Sequence, residues 1–481
     1  MKQGLFGARL DVLSEDAVQR IHAASLTLLA RQGIKSESDL ILDIFARGGA
    51  AVDRDAAIIR VGPDLVAAGL ASAPRSFVLY GRDPQMDLLL EPGRVYFGMG
   101  GSPEPYFWDH GLQAPRSPTR ADMVMCTRVG QALPNVDFVM ALCSAGDMPP
   151  GTQYFYEYDV LFRNTTKPVI YSAPSRKHAA RLIEMAAAAS GGEEALRRRP
   201  SIVLFTQPVS PLQIGPYSEG MLEAAACGVP ILSSPGPMMG ATSPATLAGT
   251  LAQINAEALF GVLLSQLIKP GTPVIYAPHT AVMDMTTAQC TYGSPEQALA
   301  RAAVAQLGRF YRLPTFGLGG GVESKLPDAE AAAQATLGMT LNALAGLTLT
   351  QTLGTLASGL YGSAEMLAIC DEIAYMVKRV LAGITVDDET LALDVIADVG
   401  HGGHFLDTDH TLRFFRQELF FPVLFRRQSI EQWQQGGSRT ITEVAAERVQ
   451  AILAHAGPVA LPAGADAELA RVLRQATDEG Q

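Results

Sequence analysis

The segment HGGHFLDTDH (401–410) is the nearest this chain comes to writing a metal site. His401 and His404 form an HxxH pair, and Asp407 and His410 follow; nitrogen and oxygen donors in such a run can ligate zinc. The spacing matches a zinc motif only in part, and the chain is expected to hold no metal. A second chemical group is the Lys325 amine, capable in principle of a Schiff base. It falls in a loop rather than within a strand, beside Pro327 and Asp328, a pattern that also suits an ordinary helix start. A third feature is PGPMMGATSPATLAGTLAQINAE (235–257), a Pro/Gly-punctuated loop of small residues running into a long helix. It contains neither GxxxxGK[ST] nor GxGxxG. Thr242 or Ser243 could cap the helix and turn its free N–H groups toward a ligand. Nowhere does the chain pair a histidine with a carboxylate, or a cysteine with a histidine, in a convincing catalytic set.

These residues must be positioned by the elements around them. Short apolar runs at 95–98, 136–142, 168–172, 201–206, 230–234, 273–277, 314–318 and 347–351 read as eight strands. Helical patterns at 121–132, 154–164, 176–189, 216–227, 244–267, 295–311 and 328–344 alternate with them. Strand alternating with helix predicts βαβ units and a parallel sheet, and eight units predict an α/β fold of (β/α)₈ TIM-barrel type; a doubly wound open sheet is the alternative. The predicted organisation is an N-terminal α-rich region over 1–92, a barrel over 93–363 and a C-terminal helical extension over 364–481. Within the first region a helix is expected over 13–33, with Ser14 as N-cap and Gly33 just past its end. The Ala/Pro/Gly-rich stretch 456–481 is expected to be frayed. In a barrel the loops after the strands carry the chemistry, and PGPMMGATSP lies in the fifth of them. Seven of the eight such loops contain Gly or Pro near the strand end, which lets backbone approach a ligand closely.

The totals narrow the partners. The chain has 481 residues, 48% of them hydrophobic, with 37 Lys+Arg against 48 Asp+Glu and a formal charge of −11. That balance argues against nucleic acid. Five scattered cysteines (Cys126, Cys143, Cys227, Cys290 and Cys370) form no CxxC and suit a reducing compartment. Neither a signal peptide nor a membrane span is evident. A cytoplasmic protein that makes no use of membrane is expected, and the apolar faces of the helical extension predict a homo-oligomer.

Several ordered segments resemble the trimethylamine methyltransferase superfamily: LSEDAVQRIHAASLTLL, FVLYGRDP, PGPMMGATSPATLAGTLAQINAE, MDM with GSPE, ESKLPDAEA, VDDETLALDVI and HGGHFLDTDHTLRFFR. The resemblance runs from near residue 10 to about 450. It implies a TIM barrel that moves a methyl group from an amine to the Co(I) of a corrinoid. The cob(I)alamin-type cofactor would be presented by a separate corrinoid protein. No DxHxxG cobalamin signature occurs, so no tightly bound cofactor is expected. The HGGH run matches a Gly-rich element of the superfamily not associated with metal.

Archaeal members carry pyrrolysine near the seventh loop. Here that neighbourhood reads Glu323-Ser324-Lys325, ordinary residues that would serve only in positioning. The resemblance is therefore to the non-pyrrolysine branch, whose members demethylate glycine betaine and related quaternary amines. Such a substrate implies aromatic faces and carboxylates around a cation. Tyr96, Phe97, Tyr106, Phe107, Trp108 and Tyr276 are the candidate aromatics; Glu104, Glu323 and Asp284 are the candidate acids. A betaine carboxylate would want donors such as His279 or Gln351, although betaine-type members place a histidine about where Gln351 stands. A corrin ring approaching the mouth would want small residues there, and Gly100, Gly101, Gly236, Met238, Gly240 and Ala241 are the expected approach surface. The alternatives are a barrel that binds a small cation without methyl transfer, and a homologue using another methyl donor.

Overall fold

β-Branched and aromatic residues favour extended backbone, and eight such runs form parallel strands: β1 Arg94–Met99, β2 Phe138–Val139, β3 Val169–Ser172, β4 Ile202–Thr206, β5 Ile231–Ser233, β6 Val274–Tyr276, β7 Phe316–Leu318 and β8 Leu349–Leu353. The computed structural model describes residues 1–2, 4–7, 9–101 and 103–480. Neighbours in sequence pair in register from β1 to β6 and again from β7 to β8. A Tyr276–Thr315 bridge joins β6 to β7, and β8 pairs with β1, which brings the sheet round into a barrel. Each of the eight predicted runs supplies one barrel strand. β2 is shorter than its apolar run, because Ala141–Cys143 already belong to the buried loop beyond it; the Met140 N–H still reaches the Met99 carbonyl at 2.9 Å.

Eight helices follow the strands: α1 Arg120–Ala132, α2 Gln153–Asn164, α3 Arg176–Ser190, α4 Gly220–Cys227, α5 Leu247–Ile268, α6 Pro295–Tyr311, α7 Ala329–Ala345 and α8 Ala364–Ala382. Their ends carry the caps the sequence suggests. Asp328 accepts from the Ala331 N–H to start α7, and Gly346 takes the left-handed position at its end. The barrel core has two faces. Tyr96, Phe138, Ile170, Val203, Leu232, Ile275, Phe316 and Leu349 fill the interior with the hairpin Phe77–Leu79/Leu88–Leu90. Val95, Phe97, Val139, Tyr171, Leu204 and Tyr276 belong to the larger core under the helices.

Helix α5 is long and apolar enough to cross a membrane by length and composition, yet 83% of its most apolar window is buried in the protein. The helices Glu15–Arg31, Asp39–Arg47 and Pro63–Ser72 pack over it. Ser14 caps the first of these through the Ala17 N–H at 3.2 Å. At the other end of the chain, Ile441–Leu453 lies against α8 and α1, and Ala465–Gly480 against α3 and α2. The expectation that residues 456–481 are frayed is thereby corrected over Ala465–Gly480, and residue 481 lies outside the described residues. Leu469, Val472 and Ala476 are buried, a stripe at helical spacing that the surrounding small residues obscure. Between these elements, residues 384–435 form short helices that bury little: Ile384 is 86% and Leu406 87% exposed.

Candidate active site at the barrel mouth

The loops after the strands build two small sheets around the C-terminal end of the barrel. One joins Tyr106–Asp109, Ala114–Arg116, Thr355–Leu356 and Tyr361–Gly362, from the first and eighth loops. The other joins Met238–Met239, Ala281–Met283 and Cys290–Thr291, from the fifth and sixth loops. Among the elements that these loops surround lies a cavity of about 80 Å³. Its wall includes Gly101, Glu104, Phe205, Gln207, His279 and Tyr292, with Leu318, Gln351, Thr352, Thr355 and Gly359 completing it.

Glu104 is 2% exposed. Its Oε1 accepts from the Thr355 hydroxyl at 2.8 Å, and its Oε2 has no hydrogen-bond partner. Burial drives this carboxyl well above the usual carboxylate range, with Cys143 and Glu157 adding to the effect. Burial thus favours the protonated form of this carboxyl in the free protein. Across the cavity, His279 Nδ1 and the Ala277 carbonyl both lie 2.8 Å from Ser234 Oγ. The carbonyl can only accept, so it takes the hydroxyl proton; the imidazole then donates from Nδ1 and leaves Nε2 bare. Burial, with help from Arg301, pushes His279 down to about 4, so it stays neutral. Gln351 is buried, and its Oε1 is unpartnered.

The eighth strand reaches the cavity through an irregularity. Its register against β1 shifts between Thr350 and Leu353, and Thr352 takes φ 70°, which is costly for a β-branched residue. The Thr352 hydroxyl holds the distortion, accepting from the Gly321 N–H at 2.9 Å and donating to the Gln351 carbonyl at 2.5 Å. Such bulges re-aim side chains near functional sites, and here two consecutive residues, Gln351 and Thr352, both meet the cavity. Tyr292 is steadied from behind. Glu323 Oε1 accepts from the Gly293 N–H at 2.8 Å, and Arg301 donates to the Tyr292 carbonyl at 3.3 Å.

Of the residues singled out from sequence, the cavity brings together Glu104, His279, Gln351 and Gly101. Glu323 stands next to it and holds the Tyr292 loop. Ser324 bonds Asp328 at 3.0 Å at the start of α7, and Lys325 is exposed. Tyr96 lies in the barrel interior with its hydroxyl 3.0 Å from the Leu89 carbonyl, toward the opposite end. Phe97 faces the helices, with Lys378 5.8 Å above its ring, and Tyr276 donates outward to Asn255 at 2.7 Å. Phe107 and Trp108 are buried beside the mouth, Tyr106 is 45% exposed, and Asp284 folds back onto the Thr286 N–H at 2.7 Å. Several expected approach residues have reasons inside the fold. A Cβ on Gly236 would sit 2.3 Å from His279 Nε2, and one on Gly100 2.4 Å from the Ala141 carbonyl. Gly240 takes φ 90° in a turn between half-buried Met238 and exposed Ala241. Among the described residues no group of three or more metal-ligating side chains comes together; His404 and Asp407 are exposed and 3.3 Å apart.

The sequence reading missed Phe205, Gln207, Tyr292, Thr352 and Thr355. Phe205 lies near the end of β4, Gln207 directly follows it, and Tyr292 directly precedes the quoted GSPE, so strand ends and motif edges were the available signal.

The chain matches the family described as trimethylamine methyltransferase over residues 6–480. It is 36% identical to a trimethylamine methyltransferase of Desulfitobacterium hafniense, over 98% of this chain and 95% of that one. It is 33% identical to a glycine betaine methyltransferase of the same species, over 97% of each chain. A second trimethylamine methyltransferase, from Methanosarcina mazei, is 33% identical over 93% of this chain and 92% of its own. Among solved structures, the monomethylamine methyltransferase of Methanosarcina barkeri superposes with a TM-score of 0.50 at 12% identity, covering 92% of this chain and 93% of that one, a likeness of fold. A barrel with its polar cavity at the strand C-termini and full-length likeness to these methyltransferases belongs to the trimethylamine methyltransferase family.

Proposed function

We propose that this enzyme transfers a methyl group from a quaternary amine to the Co(I) of a corrinoid presented by a partner protein. The observation that carries the reading is the buried, unpartnered Glu104 Oε2 in a mouth cavity that also offers the rings of Phe205 and Tyr292. A carboxylate with aromatic faces is the chemistry that holds a methylated ammonium, each cation–π contact being worth about 0.5–2 kcal/mol. The reaction asks for no acid or base. As the methyl–nitrogen bond breaks, nitrogen keeps the pair and leaves as a neutral tertiary amine, while the cobalt supplies the pair for the new bond. The protein's task is to orient the amine and exclude water. Glu104, Phe205 and Tyr292 bind the head group; Gln207 and Gln351 can hydrogen-bond to its tail, and bare His279 Nε2 can accept from it.

Gly101 and the fifth loop, with Met238, Gly240 and Ala241, form the face that the corrinoid approaches. The exposed apolar arm over 384–435 supports assembly of several copies, and five free cysteines suit a cytoplasmic setting. Following cobalt absorbance while Co(I) cobalamin, or a loaded corrinoid protein, is mixed with the enzyme and a panel of quaternary amines tests the reading. Methylation of cobalt with a quaternary donor is the expected result. Methylation with trimethylamine alone, or with no amine even when the corrinoid protein is present, would overturn it.

A further inference from the structure

Resting on that reading, we propose that Glu104 is the counter-ion of the substrate's ammonium group and that the cation enters in exchange for the carboxyl proton. The geometry around the side chain carries this. Glu104 is 98% removed from solvent, taking its 2% exposure, and only one of its two oxygens is bonded. The groups facing it come from four elements. Cys143 belongs to the loop after β2, Glu157 to α2, Tyr292 to the loop before α6 and Thr355 to the loop after β8. Three of these are acids and Thr355 is neutral. His279, across the same cavity, is also neutral. The Arg301 guanidinium donates to the Tyr292 carbonyl and acts on Glu323 and His279. No described cation is thus placed to compensate an ionised Glu104.

A carboxylate in that position would be a buried, unpaired charge, which is strongly unfavourable. The free protein avoids it by keeping the proton. A quaternary ammonium reverses the balance: it cannot donate a hydrogen bond, but it brings a full positive charge against Oε2. The carboxyl then ionises, its proton leaves to solvent, and the cavity remains neutral overall. The site consequently selects for permanent positive charge, and its affinity is linked to pH.

Isothermal titration calorimetry of the full chain with tetramethylammonium tests this, run at pH 6, 7 and 8 in buffers of different ionisation enthalpy. About one proton should be released per cation bound, with affinity rising roughly tenfold per pH unit while the carboxyl stays protonated. The Glu104→Gln variant keeps an acceptor for Thr355; it should release no proton, bind at least about tenfold more weakly and lose the pH dependence. Glu104→Asp should retain the proton release, a readout that a merely structural carboxyl would not produce. Binding by the wild type without proton release would overturn the exchange and leave the proposed function standing, as would unchanged proton release in Glu104→Gln. Failure of the wild type to bind any quaternary amine would overturn both. Proton release retained in Glu157→Gln, whose carboxyl also titrates near pH 7, assigns the proton to Glu104 even if a Glu104 variant does not fold, and its loss there would overturn the assignment.

Discussion

The two ends of the barrel treat buried polar groups in opposite ways. At the floor, where strands begin, Lys167 is fully buried yet donates to the Gly130 and Leu133 carbonyls at 2.6 and 2.8 Å. Asp137 is equally enclosed and meets Lys2 at 2.9 Å, Lys378 at 3.4 Å and the Phe97 N–H at 3.1 Å. Burial works against its charge, and the two lysines outweigh it, holding the carboxyl below its ordinary value. At the mouth, Glu104 Oε2 and Gln351 Oε1 have nothing to bond, and Thr352, Ala357 and Ser358 take left-handed backbone at φ 70°, 51° and 54°. Native proteins leave few buried groups unsatisfied. A floor that satisfies its charges internally and a mouth that does not is the division of a barrel into a stabilising end and a ligand-binding end.

The largest expected effect comes from breaking the floor. Asp137→Ala leaves two lysines facing a cavity and should cost about 3–5 kcal/mol in chemical denaturation, with methyl transfer per folded molecule unchanged. The same kind of change at the mouth should do the reverse. Glu104→Gln should lower methyl transfer about a hundredfold, the equivalent of about 3 kcal/mol, while the denaturation midpoint stays or rises.

Glu157 sharpens the contrast, because burial pushes it from 4.5 up to about 7. The folded state then holds a proton that the unfolded chain releases. Its contribution is unfavourable to folding above the unfolded value, so stability falls as pH rises from about 4.5 to about 7 and is level beyond. Glu157→Gln should remove that slope and gain on the order of 3 kcal/mol at pH 8, read as a difference in denaturation midpoints at pH 5 and pH 8. The smallest effect is expected at Gly359, where φ is 94° and an added Cβ would lie 3.2 Å from the Tyr292 ring. Gly359→Ala should cost about 1 kcal/mol of stability and weaken tetramethylammonium binding several-fold by displacing that ring.

Much of the fold was legible because strand and helix runs differ in length and period, and all eight strands and the seven helices between them lie where the runs predict. The orientation of side chains within strands was not. Strands of a parallel barrel are buried on both faces, so apolar residues do not alternate with polar ones. Nothing in the run around Tyr96 and Phe97 distinguishes the residue facing the barrel interior from the one facing the helices, and Tyr276 looked like a mouth residue although it points outward. Glu104 and His279 were visible as polar residues in strand-end loops. Tyr292 was not, since its place at the cavity depends on Glu323 and Arg301, which come from other segments, and Gly236 is explained only once His279 is seen to press against it.

The proposed seat of a methylated cation against Glu104 in the mouth cavity can be located by diffraction. Tetramethylarsonium has the charge and shape of the quaternary head, and its arsenic can be located by anomalous diffraction from crystals of the full chain grown with it. One strong peak is expected within the cavity, beside Glu104, Phe205 and Tyr292. A peak elsewhere, such as the groove beside Arg82 and Arg199 at the barrel's other end, with none at the mouth, would contradict it.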